Sequence, residues 1–310
     1  MSLIDNVKAT LKSKDTEGAF ELYVTRTPGY LWACLFKWMG VHPVVVTLIS
    51  IVIGGASGWF FYSTDLTTNL VGMLLLIWAN WYDCADGQLA RMTNKRTLIG
   101  RILDGFCGDV WFFSIYFFLC LRMQNQNIPF TDTQWGIWIW IMAAWAGFRC
   151  HGRQCAIGDY YRNIHMFFLL GSDKAELDSS VKIKKEMKAL RWNSKEWFHK
   201  LYLYFYARYT GSQEAQVTEF HKMMARLQER YGDNIPQEVR EDFCKGSKPL
   251  MPWTNIINFD TRVAVLFLSI GFNLPWIYLL FEITVLEVVR YYVTTRHEKL
   301  CRSILMNTKS

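Results

Sequence analysis

Four aspartates, Asp83, Asp86, Asp104 and Asp109, stand within 27 residues in the stretch YDCADGQLARMTNKRTLIGRILDGFCGDVW, residues 82–111. Asp83, Asp86 and Ala90 follow a three-then-four spacing and so share one helix face. Gly100 and Asp104, four apart, share a face of the next helix. Both flanks are strongly apolar, so the acids lie where the chain enters and leaves a membrane. Carboxylates beside lipid are costly unless they face a cavity, a partner or a metal. Four together also repel one another. Divalent cations resolve that repulsion, because hard oxygen ligands suit Mg²⁺, Mn²⁺ or Ca²⁺. Gly87, Ala90 and Gly100 remove bulk from the same faces, which lets a ligand or a facing helix approach. Arg91 adds a planar fork of donors suited to a phosphate. The chemistry expected is a membrane-embedded site for metal and phosphate. Ions would bridge a diphosphate as a P–O bond breaks, and one carboxylate would take the proton of an attacking hydroxyl.

The elements that position these residues are helical and apolar. Half of the 310 residues are apolar, in long runs with the charge between them, which predicts an all-α polytopic membrane protein. Ile4, Val7 and Leu11, with Lys8, Lys12 and Lys14, predict a short surface helix. Glu21–Met39 predicts an interfacial helix with Pro28 near its start. Six spans are expected: Pro43–Phe61, Asn69–Ala90, Leu98–Leu121, Thr133–Cys150, Phe259–Phe272 and Leu274–Val293. The fourth and fifth are short for a bilayer, so their polar flanks are expected to continue the helices. The 62–68 and 273–275 turns carry no Lys or Arg, and the 122–132 loop carries only Arg122. Arg91, Lys95, Arg96 and Arg101 join spans two and three. The basic bias puts both termini, the 91–101 loop and the 151–255 region in the cytoplasm, with the aspartates at the cytoplasmic ends of their helices.

Residues 156–252 are too polar to span. Trp197, Leu201, Tyr202 and Phe205 predict one amphipathic helix. Phe220, Met224, Leu227 and Tyr231 predict another, closed by Gly232. The expected organisation is 1–41, N-terminal amphipathic helices; 42–155, spans one to four with the aspartates; 156–252, a helical cytoplasmic insertion; and 253–310, spans five and six with the tail.

The net charge of +7 lies beside apolar runs, which favours lipid headgroups or simple topology over nucleic acid. Eight cysteines form no CxxC pair, so neither a zinc site nor a disulfide framework is expected. Six histidines show no HExxH and no i,i+4 pairing, and surface or interface roles are expected for all. Glu282 and Glu287, both within the sixth span, are expected to face a protein interior or a dimer seam, and the nearby Arg290 points to a structural ion pair rather than to chemistry. GGASG, Gly54–Gly58, reads as close helix packing rather than a phosphate cradle. Met1–Phe20 lacks the apolar core of a signal peptide.

The spacing Asp83-x-x-Asp86-Gly87-x-x-Ala90-Arg91, eight residues, Gly100-x-x-x-Asp104 resembles the signature of the CDP-alcohol phosphotransferase family. The six-span layout and the VHPVVVTLIS stretch after an interfacial helix extend the resemblance over the membrane part but not over 156–252. The resemblance implies a six-helix membrane fold, a homodimer, and transfer of a substituted phosphoryl group from a CDP-linked alcohol to a second alcohol with release of CMP. It implies Mg²⁺ or Mn²⁺, as two ions, on Asp83, Asp86, Asp104 and a last aspartate that is also the base. It places the CDP moiety on Gly87, Ala90, Arg91 and Gly100. The family's last aspartate falls at the position that is Gly108 here, and the aspartate follows at 109. A π-bulge between Asp104 and Asp109 is the expected remedy, with Asp109 as fourth ligand and base. Arg149, Arg153 and Arg262 are candidates for an anion pocket. That pocket would favour CDP-diacylglycerol with a phosphorylated acceptor such as inositol phosphate. The alternatives are transfer from CDP-choline or CDP-ethanolamine to a lipid, a cation transporter, or an inactive membrane scaffold.

Overall fold

A computed structural model describes residues 3–10, 18, 20–95, 97–171, 177, 179–192, 196–232 and 234–307. Leu11, Lys12 and Lys14 of the expected surface helix lie outside them. The described elements are helices: α1 (Leu3–Thr10), α2 (Thr27–Trp38), α3 (Pro43–Phe60), α4 (Leu66–Thr93), α5 (Leu98–Met123), α6 (Gly136–Ala144), α7 (Gly152–Leu170), α8 (Ser180–Ala189), α9 (Trp197–Glu214), α10 (Thr218–Tyr231), α11 (Gln237–Ser247), α12 (Met251–Ile256), α13 (Phe259–Gly271), α14 (Trp276–Ile283) and α15 (Val285–Asn307). Two π-helical stretches, Glu21–Arg26 and Trp145–His151, lead into α2 and follow α6. The chain forms two compact units, residues 1–151 with 260–283, and residues 152–259 with 284–310.

The first unit is organised by α3, which packs on both α4 and α5, while α2 packs on α4. Pro43 starts α3 where its missing N–H costs nothing, and His42 caps it by accepting from the Val44 N–H at 3.3 Å. Close packing explains GGASG. A Cβ on Gly54 would collide with the Trp111 indole, and one on Gly58 with Ser114 of α5. The same interface is hydrogen-bonded, Trp111 donating to the Ser50 carbonyl at 3.0 Å and Ser114 to that of Gly55 at 2.6 Å. Ala33, Phe36, Val46, Ala85 and Leu89 form the apolar seam between α2, α3 and α4. At the far end, buried Arg122 ties the ends of three helices together. It donates to the Phe61 carbonyl at 3.0 Å, to Asn69 at 3.3 Å and to Asn273 at 2.6 Å.

Also in this unit is a buried charge network. Glu282 of α14 accepts from Arg262 of α13 and from Tyr116 of α5, and pairs with His151 at 3.2 Å. Phe112 packs on the His151 ring at 4.4 Å. A buried charge is tolerated only when paired and hydrogen-bonded in this way.

The second unit has its own core. Ile157, Tyr161 and Phe168 of α7 pack with Phe220, Met223 and Leu227 of α10, Phe243 of α11 and Val293, Cys301 and Ile304 of α15. Gly232 ends α10 with φ +61°, as its position after the apolar stripe predicts. Glu287 and Arg290 pair at 2.6 Å. In α9 the buried stripe is Leu203, Ala207 and Thr210, whereas Trp197 and Phe205 are exposed. The buried stripe is thus rotated from the expected one, of which only Leu201 and Tyr202 are half-buried.

Two helical stretches among the described residues, Pro43–Phe60 and Leu103–Met123, are long and apolar enough to cross a membrane. The other expected spans do not meet that measure of length and composition, although α13 ends within one residue of the expected fifth span. α4 has 28 residues but carries its acids in the last turns. Helical structure runs on from 136 through 170, beyond Cys150, as expected for the polar flank of the short fourth span. The Leu274–Val293 span is interrupted at Thr284.

Candidate metal and nucleotide site

α4 presents Asp83 and Asp86 one turn apart, and α5 presents Asp104. One carboxylate oxygen of each lies within 4.8 Å of the others. α4 starts on an Asp65 cap, whose carboxylate accepts from the Thr68 N–H at 2.7 Å, and ends at Asn94 in the left-handed region. α5 starts on Thr97, whose hydroxyl accepts from the Gly100 N–H at 3.0 Å. These two ends bracket the short link that brings Asp104 back beside Asp83 and Asp86. Asp86 is buried, Asp83 half-buried and Asp104 exposed, so the group opens towards α5.

The surroundings are polar and close. The Cys107 thiol lies 3.1 Å from the Ser50 hydroxyl and bonds to Asp83. Thr47 of α3 bonds to Asp86. Arg26, presented by the first π stretch, acts electrostatically on Asp83 and donates to the Cys84 sulfur at 3.7 Å. That stretch is fixed to α4 by Trp81 donating to the Val24 carbonyl at 2.9 Å and Gln88 to that of Arg26 at 3.2 Å. Gly29 lets α2 come this near, since a Cβ there would stand 2.8 Å from that of Cys84.

The donor set fits a hard divalent cation. Asp83 Oδ1 and Asp86 Oδ2 are buried with no hydrogen-bond partner, a costly state for carboxylates unless a cation meets those atoms. All three donors are oxygens, which suits Mg²⁺ or Mn²⁺.

Of the nucleotide candidates, Gly87, Ala90 and Arg91 continue the α4 face. Arg91 lies 3.4 Å from where a Gly87 Cβ would be, and its Nε donates to the Thr10 carbonyl at 2.6 Å. Gly100 sits in the first turn of α5, close to Val44. Asp109 departs from expectation. α5 is α-helical without interruption from Leu98 to Met123, so the bulge is absent, and Asp109 is not one of the converging carboxylates. Its electrostatic partner is His151. The π irregularity falls instead at Glu21–Arg26 and Trp145–His151, where it presents Arg26 and His151.

Arg262 is also corrected. It is fully buried on Glu282 and His151, not open to an acceptor. Arg149 is exposed and Arg153, in the second unit, is half-buried. Surface or interface roles are expected for all six histidines, but His151, His165 and His297 are buried, each at most 6% exposed. Arg26, Thr47, Ser50 and Cys107 were not foreseen. Only Cys107 carried a signal, since it stands three residues after Asp104 and shares its face.

The family model of CDP-alcohol phosphatidyltransferases matches residues 40–154. Residues 40–154 are thus similar to a CDP-alcohol phosphatidyltransferase domain. That domain spans α3 to the start of α7 and contains all three converging carboxylates. Members of this family are transferases of substituted phosphate groups, acting on a CDP-alcohol and an acceptor alcohol. They generally use divalent metals and are typically integral membrane proteins. Neither the curated proteins nor the solved structures returned a match to the chain.

Proposed function

We propose that this chain transfers a phosphatidyl group from CDP-diacylglycerol to a small polar alcohol, with Asp83, Asp86 and Asp104 holding Mg²⁺ or Mn²⁺. The observation that supports this most is the convergence of three carboxylates from two adjacent helices, two of them with orphaned buried oxygens. An ion held by Asp83, Asp86 and Asp104 would neutralise the diphosphate and make its phosphorus easier to attack. Gly87 and Ala90 leave room for the nucleotide along α4, and Arg91 offers its guanidinium to a phosphate. Asp104, the exposed member, takes the proton of the acceptor hydroxyl. The acceptor oxygen bonds to the phosphorus that carries diacylglycerol, and CMP leaves with the electrons of the broken P–O bond.

With Arg262 buried, a phosphorylated acceptor loses its main support, and the acceptor class is a small polar alcohol. This reading includes a multi-pass chain of six spans, with both termini and the aspartates cytoplasmic, working as a homodimer. The basic 91–101 link supports that orientation.

The test is CMP release by the purified full chain with Mg²⁺ or Mn²⁺. CDP-diacylglycerol, CDP-choline and CDP-ethanolamine are each offered with a panel of acceptors, and Asp86→Asn is the control. Release from CDP-diacylglycerol that is lost in Asp86→Asn is expected. Release only from CDP-choline or CDP-ethanolamine would overturn the donor. No CMP from any pair, in protein that binds Mg²⁺, would overturn the reading.

A further inference from the structure

The second unit contains a group of metal-type ligands that the transferase site does not use. His297, Glu298 and Cys301 of α15 each offer a donor atom within 4.8 Å of the other two. Their sequence is His297-Glu298-x-x-Cys301, so the histidine and cysteine are four apart and stand one above the other on one helix face. His297 and Cys301 are almost fully buried in the apolar core, 1% and 0% exposed, among Tyr161, Phe220 and Phe243.

Three features distinguish this group from ordinary core polar residues. The Cys301 sulfur lies 3.7 Å from His297 Nδ1, within the reach of a sulfur hydrogen bond. It is close to what a shared zinc requires, because Zn–N and Zn–S bonds of about 2.0 and 2.3 Å at a tetrahedral angle separate N and S by roughly 3.5 Å. Glu298 Oε1 is buried and has no hydrogen-bond partner, while its Oε2 accepts from the Glu219 N–H at 2.7 Å. One oxygen thus orients the carboxylate and leaves the other for a cation, the usual division of labour in a ligating carboxylate. The His297 ring is held by stacking on Tyr161, centroids 4.0 Å apart. Glu298 is only half-buried, which leaves a path for an ion from solvent.

We propose that His297, Glu298 and Cys301 form a second metal site, for a soft or borderline divalent cation of the zinc class. Nitrogen, sulfur and oxygen donors together select zinc over magnesium, the opposite preference from the three aspartates. Cys301 binds as the thiolate and gives its proton to solvent, and a water completes the tetrahedron. The site fixes the start of α10, through Glu298 and Glu219, to the last turns of α15.

The probe is Co²⁺, added to chelator-treated full-length protein in detergent, with zinc then used to displace it. One equivalent of Co²⁺ should produce a thiolate-to-cobalt charge-transfer band in the near ultraviolet, and zinc should remove it. Asp86→Asn should keep the band, which separates this site from the transferase site. Cys301→Ser should abolish it, with helicity by circular dichroism unchanged. Should Cys301→Ser fail to fold, Glu298→Gln carries this arm and should bind Co²⁺ at least about tenfold more weakly. Wild-type protein without the band overturns the proposal. So does a band that survives Cys301→Ser, or cobalt affinity unchanged in Glu298→Gln.

Discussion

Asp109 and Gly108 offer the sharpest test of the transferase site. α5 is a regular α-helix through both positions, so each residue advances 100° and 1.5 Å. Residue 109 then points about 140° away from Asp104, and residue 108 only about 40°. With carboxylates carried ~6 Å from the helix axis, these directions put an acid at 109 roughly 13 Å from that of Asp104, and an acid at 108 roughly 7 Å. Two ions about 4 Å apart, each about 2 Å from its ligand, span about 8 Å. An acid at 108 can therefore join the site, and one at 109 cannot. Gly108 has room for it, since a Cβ there would meet no atom within 4 Å. Asp109→Asn should leave CMP formation within about threefold of wild type, a substitution far from the reacting atoms. Asp86→Asn and Asp104→Asn should each lose about a thousandfold, the several kcal/mol that ion and base supply. Gly108→Asp should lower the Mg²⁺ concentration for half-maximal activity by at least about tenfold, by adding a charged oxygen ligand. The assay is CMP release from CDP-diacylglycerol across an Mg²⁺ titration, at saturating acceptor. Should Asp109→Asn lose as much as Asp86→Asn, the geometric reasoning fails, because Asp109 would then reach the site through a distortion α5 does not show. Gly108→Asp with unchanged Mg²⁺ dependence would equally refute it.

Gly54→Ala should destabilise the chain by about 1–3 kcal/mol through overpacking on Trp111, while Gly55→Ala, whose Cβ would meet its nearest atom at 3.7 Å, should leave the melting temperature unchanged. Glu282→Gln should cost about 3–5 kcal/mol by leaving Arg262 charged and buried. Arg262→Met with Glu282→Met should recover most of that loss in thermal unfolding. Acceptor KM in the double variant should match wild type, since Arg262 does not reach the acceptor. Thr68 holds the Asp65 carboxyl below its ordinary value by two hydrogen bonds. That cap's contribution is therefore present above the unfolded carboxyl's pKa, about 3.9, and is lost as pH falls through the lower folded value. Asp65→Asn should flatten the fall in melting temperature across that acidic window.

Much of the first unit is legible in the sequence because its constraints are local. Helix α4 and the shared face of Asp83 and Asp86 follow from spacing, and the close packing of α3 on α5 from the small residues of GGASG; in the second unit the end of α10 follows from Gly232. The missing parts depend on partners remote in the chain. Arg26 reaches Asp83 only because a π stretch precedes α2, and nothing in Glu21–Arg26 announces that winding. From the sequence Arg262 is a candidate for an anion pocket, but its place depends on Glu282 and His151, which no periodicity connects to it. The bulge expected at Asp104–Asp109 was inferred from what the family's chemistry requires, and helical hydrogen bonding prevailed over that requirement.

The same contrast explains why the histidine–cysteine pair of α15 escaped notice. Its i,i+4 spacing is as plain as that of any pair in the chain, but ligand patterns read by residue type look for two histidines or two cysteines. A face-by-face reading asks only which donors coincide on one side of a helix. Applied to α4 and α5, it brings Asp83, Asp86 and Asp104 together with Cys107 beside them and leaves Asp109 out. Applied to α15, it brings His297, Glu298 and Cys301 together. The geometry that excludes Asp109 is thus the geometry that includes Cys301: four residues along a helix return to the same face, and five do not.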